Sequence, residues 1–155
     1  DISESASWIE DWYRSTGRTS WASAGIVTTP GNMARWGYEL FSVYGAAISP
    51  FARERLLGSF TGPEIEIGGL AQQYGYHATK RTAVLSNGEV TLYGHPGGGG
   101  GYLSVLYYSP ELDMSVSLLA NSSTQARARA EAQGSLTHRT LDDIGQKILA
   151  VYGRP

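Results

Sequence analysis

His95 closes a strand-like run, V-T-L-Y-G-H over Val90 to His95, and is followed by Pro96 and five consecutive glycines, Gly97 to Gly101. An imidazole ordinarily titrates near neutrality, so it can move a proton or orient a polar substrate. Glycine backbone lets a ligand come close and leaves N–H groups free to face a developing oxyanion. Those residue types in that order suit acyl transfer. Five glycines in a row also cost more chain entropy than a simple turn justifies. Composition alone leaves a plainer reading open, a flexible hairpin between Leu92 and Leu103 with His95 bonded to a backbone carbonyl. Phosphate cradling is disfavoured, since no start from Gly94 to Gly99 satisfies G-x-G-x-x-G and no Gly-Lys-Ser/Thr follows.

The elements that must hold this strand show in the spacing of apolar residues. Ala6, Ile9, Trp12 and Tyr13 predict a short helix from Ser3 to Ser15, stopped by Gly17, with Trp8 and Trp12 in packing roles; Arg14 to Ser23 reads as loop. Thr29-Pro30 is an N-cap followed by a residue suited to the first helical position. It predicts a helix to about Val43, with Met33, Trp36, Leu40, Phe41 and Tyr44 as a core stripe. Ser49-Pro50 repeats the signal for a second helix over Phe51 to Leu57, stopped by Gly58, and Ser59 to Gly69 reads as loop.

From Ala71 the pattern becomes strand-like: Tyr74 to Thr82, then Ala83 to Leu85, an Asn87-Gly88 turn, Glu89 to Tyr93, Tyr102 to Tyr108 and Met114 to Ala120. Tyr102 to Tyr108 is apolar on both faces except at Ser104, which predicts cover on both sides. Leu141, Ile144, Ile148 and Val151 or Tyr152 recur at helical spacing behind Thr140, with Asp142 and Asp143 expected in the first turn and Gly153 as the stop. The fold expected is α+β, an antiparallel sheet meander covered by helices. It divides into a mainly helical and loop segment over 1–70, strands over 71–121, and a linker with a C-terminal helix over 122–155, as a single domain or a fragment.

At 155 residues and 41% hydrophobic content the chain can build one sizeable core and not two. The net charge of −2, with no basic block, implies neither nucleic acid nor an anionic membrane as a partner. Without cysteine there is no disulfide and no thiolate catalysis. His77, His95 and His138 stand too far apart for a local metal motif, so no metal and no other cofactor is expected. No apolar run approaches the ~20 residues of a membrane span. The chain begins at Asp1 without a signal-peptide pattern and is read as processed or cut.

Several motifs carry a resemblance. Tyr74-Gly75-Tyr76, Gly94-His95-Pro96-Gly97 with Gly101-Tyr102, Pro110-Glu111-Leu112, and a hydrophobic strand ending at Asn121 together resemble the C-terminal part of serine beta-lactamase-like hydrolases. More narrowly they are similar to the class C beta-lactamase, D-alanyl-D-alanine carboxypeptidase (a penicillin-binding protein) and esterase branch. Ala24 to Pro30 followed by Met33-Ala34-Arg35-Trp36 is similar to the segment entering a helix in those proteins, so the resemblance covers roughly Ala22 to Tyr152. It implies the C-terminal portion of the beta-lactamase/transpeptidase-like fold and an extracytoplasmic location, periplasmic or secreted. It also implies that His95, Pro96 and Gly97 stand where the family has Lys or His, then a small residue, then Gly. His95 would then orient substrate or tune the acid/base network, Gly97 would admit substrate to the strand, and the Gly98 N–H would be one oxyanion donor. Tyr74, Tyr76, Pro96, Gly101 and Tyr102 would complete the substrate-binding wall.

The resembled family also needs a Ser-x-x-Lys nucleophile and a Tyr-x-Asn or Tyr-x-Ser motif, because the serine must lose its proton before it attacks. No serine here has a lysine three positions on, and there is no Tyr-x-Asn. Tyr13-Arg14-Ser15, Tyr102-Leu103-Ser104 and Tyr107-Tyr108-Ser109 match Tyr-x-Ser only by letters, and no G-x-S-x-G elbow is present. Pro96 lacks both a hydroxyl and an N–H, which weakens beta-lactam or D-alanyl peptide specificity and favours an ester-like substrate. The expectation is therefore a C-terminal segment of a serine acyl-hydrolase, inactive alone. Its substrate would be a small ester, amide or D-amino-acid peptide, and its missing chemistry would come from an N-terminal half of the same protein or from a partner chain. Self-association is expected where that half would pack. The alternative is a non-catalytic module binding sugar or peptide through Tyr74, Tyr76 and Tyr102.

Overall fold

The computed structural model describes residues 24–67, 69–86, 88–99, 102–121 and 138–153. The helix expected over 3–15 with Trp8 and Trp12, and the loop expected over 14–23, lie outside them. Helix α1 spans Pro30–Phe41 and α2 spans Pro50–Leu57. Both begin as their sequences predict: Asn32 N–H donates to Thr29 Oγ1 at 3.3 Å, and Ala52 N–H donates to Ser49 Oγ at 3.2 Å. A proline follows each cap, where its missing N–H costs nothing.

α1 stops two residues short of the expected Val43. Ser42 leaves the helix with ψ 144°, donates its hydroxyl to Asp113 Oδ1 at 2.9 Å and accepts the Tyr44 N–H at 3.2 Å. The expected core stripe holds in part: Phe41 is buried and Met33 and Leu40 are half-buried, Gly37 is buried beside them, while Trp36, Tyr44 and, on α2, Phe51 are exposed. Gly37 sets the docking face, because a Cβ there would stand 2.7 Å from both Leu106 Cδ1 and Ser115 Oγ. Close approach of the helix backbone at Gly37, together with the apolar Phe41 and Leu40, set which side turned inward.

Among the described residues, six strands form one antiparallel sheet in chain order: β1 Glu64–Ile67, β2 Leu70–Tyr74, β3 Thr79–Leu85, β4 Gly88–Gly99, β5 Tyr102–Ser109 and β6 Met114–Ala120. The meander is as expected, with three corrections. Glu64-Ile65-Glu66-Ile67 is a strand inside the expected 59–69 loop; Pro63 and Gly69 bound it rather than prevent it. Residues 74–82 are not one strand, since the chain reverses over 75–78, with Gly75 N–H donating to Ala78 O at 2.9 Å and His77 at φ +54°. β4 continues past Tyr93 to Gly99, so Gly97, Gly98 and Gly99 are strand and not loop; their ladder to β5 needs only backbone groups. Gly88 has φ +130°, a conformation open to glycine, but it pairs with Leu85 as the first residue of β4 instead of sitting at the centre of the expected Asn87-Gly88 turn, and Asn87 lies outside the described residues.

Helix α3, His138–Tyr152, starts ahead of Thr140, so Asp142 and Asp143 are not in its first turn. Its Leu141 and Leu149 pack on Val90, Leu92, Val105, Tyr107 and Val116, covering one sheet face as expected. Phe41, Phe60, Ala78 and Tyr108 fill the other side. Full burial of such side chains contributes about 1.5–3 kcal/mol each, and β5 is covered on both faces as its sequence predicts.

Candidate functional site

β3 pairs with β4 from Leu85↔Gly88 to Thr79↔Gly94 and ends there, because the reversal over 75–78 carries the chain away. β5 continues to pair with β4 as far as Gly99↔Tyr102. Residues 95–99 are therefore laddered on one side and have no partner strand on the other among the described residues. Among the described residues β4 is interior up to Gly94 and becomes an edge at His95.

At that transition Tyr74, Thr79 and Gly94 stand in one cross-strand row, and Thr79 Oγ1 donates to Gly94 O at 3.0 Å. The row brings the Tyr74 ring edge-on to the His95 imidazole, with centroids 5.6 Å apart and planes at 80°. His95 Nδ1 contacts the Pro96 carbonyl oxygen, and Nε2 lies 3.3 Å from Tyr74 Oη. A carbonyl only accepts, so Nδ1 carries the proton in the neutral ring and Nε2 accepts from the Tyr74 hydroxyl. The carbonyl bond of the plainer reading is present, on an imidazole that also marks the start of an open strand edge.

Pro96 is buried opposite Val105, Gly97 lies opposite Ser104, and Tyr102 is half exposed opposite Gly99. A Cβ at Gly97 would overlap Ser104 Oγ. Tyr76 instead sits in the reversal, its N–H donating to Ser59 Oγ at 3.0 Å, and helps line an open cleft of about 420 Å³ with Phe51, Glu54, Arg55, Gly58 and Ser59. Gly101 lies outside the described residues. The fold thus joins His95, Pro96, Gly97, Gly98, Tyr74 and Tyr102 along one strand end, and gives Tyr76 a different setting.

A family model described as Beta-lactamase matches residues 3–138. The chain belongs to the beta-lactamase family. No curated protein and no solved structure matches it. The α+β architecture agrees with a portion of a beta-lactamase-like fold.

Two polar clusters of this beta-lactamase family chain were not anticipated. On the α3 face, the buried Arg81 guanidinium pairs with buried Asp142, lies 4.9 Å from the Tyr107 ring centroid, and leaves the other Asp142 oxygen to Gln146 Nε2 at 2.8 Å. Burial lifts the Asp142 carboxyl above its ordinary value against the pull of Arg81, and burial also pushes the Tyr107 hydroxyl well up. The sequence signal was Asp142 beside the apolar stripe Leu141, Gly145 and Leu149, and Arg81 alternating with Thr79, Ala83 and Leu85. At the far end of β5, Asp113 accepts from Tyr38 at 3.0 Å, Ser42 at 2.9 Å and Tyr108 at 2.9 Å. Burial raises the Tyr108 hydroxyl to about 12, with Ser42 opposing and Asp113 adding to the rise. Both clusters fasten helices to the sheet.

Two Tyr-x-Ser letter matches lie inside β5 as expected, with Ser109 Oγ donating to Glu111 Oε2 at 2.9 Å, and Tyr13 lies outside the described residues. No three metal-binding side chains cluster among the described residues, and no described helix is long and apolar enough to cross a membrane.

Proposed function

We propose that this chain supplies the substrate-binding strand of a serine acyl-hydrolase of the beta-lactamase, D-alanyl-D-alanine carboxypeptidase or esterase type. The observation that carries the reading is the one-sided ladder of residues 95–99. An unpaired strand edge can take an extended acyl substrate as an added strand. Proline is tolerated in a strand where its nitrogen faces away from a ladder partner. With Pro96 so placed, period-two alternation turns the Gly98 N–H to the same open side, where it can donate to the oxyanion of the tetrahedral intermediate. His95 orients the substrate, Gly97 admits it to the backbone, and Tyr74 and Tyr102 bound the site. Pro96 offers no hydroxyl for a substrate carboxylate, so simple esters fit better than beta-lactams.

The nucleophilic serine and its lysine base come from an upstream part of the same protein or from a partner chain, since the sequence holds neither Ser-x-x-Lys nor Tyr-x-Asn. The test joins this chain to such a segment and follows acylation by a short chromogenic ester. Gly98→Pro should lower the acylation rate by about two to three orders of magnitude, His95→Ala should impair it through substrate orientation, and Gly100→Ala should be milder than either. Equal, small effects of all three would remove the active-site assignment. A second reading, a non-catalytic sugar- or peptide-binding module, is favoured by the exposure of Tyr74, Tyr76 and Tyr102. It would prevail if the reading frame upstream of Asp1 encodes neither missing motif.

A further inference from the structure

His138, the first residue of α3, places its imidazole against β4 on the face that α3 covers, with Nε2 2.9 Å from Gly97 O. The carbonyl oxygen can only accept, so Nε2 carries the proton and donates. The same ring closes over Gly98: a Cβ there would stand 3.2 Å from His138 Cε1 and 3.3 Å from Nε2. Charged neighbours on this helix are engaged elsewhere, Arg139 Nε with Gly69 O at 3.0 Å and Asp142 with Arg81. The imidazole is therefore carried on a start of α3 that is tied down at other points, and it is aimed at one backbone carbonyl.

The Gly97 carbonyl and the Gly98 N–H are opposite ends of one planar peptide unit. A donor on the carbonyl draws electron density toward oxygen and makes the N–H at the other end a stronger donor. We propose that His138 is a positioning residue of the acyl-transfer site, holding the Gly97–Gly98 peptide in plane and polarising it so that the Gly98 N–H is aimed and strengthened as an oxyanion donor. The inference rests on the reading of Gly98 given above. His138 acts through the peptide and touches no reacting atom.

The test uses the chain labelled with carbon-13 and nitrogen-15, read at the Gly97 carbonyl carbon and the Gly98 amide nitrogen. His138→Leu removes the donor and should move both signals upfield. His138→Gln, whose amide nitrogen reaches the place of Nε2, should bring both back toward the original values. His138→Asn, whose amide falls short, should follow the leucine variant at Gly98 while leaving the Leu149 signals unchanged, which separates loss of the bond from loosening of α3. Signals that ignore the residue at 138, or that shift equally in the leucine and glutamine variants, would overturn the proposal. In a longer chain carrying the nucleophile, His138→Leu should slow acylation about two- to eightfold with little change in KM, and glutamine should restore it; an unchanged rate would also count against the proposal. Failure of the Gly98 reading looks different: Gly98→Pro would then leave acylation intact while the carbonyl signal of Gly97 still followed residue 138.

Discussion

His95 holds a defined neutral tautomer because its two ring nitrogens face chemically different oxygens, the Pro96 carbonyl at Nδ1 and the Tyr74 hydroxyl at Nε2. In mildly alkaline solution, imidazole nitrogen spectra should show the proton on Nδ1. Tyr74→Phe should leave that tautomer in place, since the carbonyl contact remains, but widen the ring's motion. A ring protonated on Nε2 in the original chain would contradict the assignment. The tautomer bears on the proposed chemistry, because it leaves Nε2 unprotonated beside the Tyr74 hydroxyl.

Among the elements, α3 depends on Arg81 and Asp142. Removing one partner strands a buried charge, so Arg81→Met should cost about 3–5 kcal/mol, whereas Arg81→Met combined with Asp142→Leu should recover most of it. Urea unfolding of the two single variants and the pair measures this, and additive losses would show that the two groups do not act together. α1 depends on Asp113 instead. Burial would raise that carboxyl, but the hydroxyls of Ser42, Tyr108 and Tyr38 outweigh it and hold the group below its ordinary value. The folded state then binds the proton more weakly than the unfolded chain. The contribution is complete above the unfolded value of about 3.9 and is lost as pH falls through the lower folded value. Asp113→Asn should flatten the acid side of the stability profile, and Asp113→Ala should cost only about 1 kcal/mol at neutral pH because solvent reaches the carboxylate. An acid limb unchanged in Asp113→Asn would assign that limb to other groups.

For the whole molecule, the proposed division of labour has two consequences. The chain alone should form no covalent adduct with a fluorescent penicillin or a fluorophosphonate, as read by intact mass, because no serine in its sequence has a lysine three positions on. A stoichiometric acyl adduct on any serine would end that account. Ile26 and Val27 before α1, Trp36 on it, and Val43 and Tyr44 after it are exposed apolar groups, which fits a surface meant for a partner segment. Light scattering should show self-association that rises with concentration. A monomer over a wide concentration range, with no dye-accessible apolar surface, would count against the missing-partner reading.

Local signals in the sequence determined the starts of α1 and α2 through Thr29-Pro30 and Ser49-Pro50, the strands β5 and β6 through their apolar pattern, and the lack of a Ser-x-x-Lys or Tyr-x-Asn motif, since each depends on neighbours within a few positions. The spacing of family motifs was likewise visible along the chain. Tertiary structure alone decided that the glycines of 97–99 lie in a strand, because their order comes from a ladder to β5 and glycine has no side chain to advertise it. It decided that Gly37 rather than Trp36 faces the sheet, since that choice turns on how closely two backbones approach. It also brought His138 to Gly97 across 41 positions and Asp142 to Arg81 across 61, contacts between residues whose types carry no record of one another. What the sequence held was short-range geometry and chemical inventory; which groups meet was set by packing two helical layers onto one sheet.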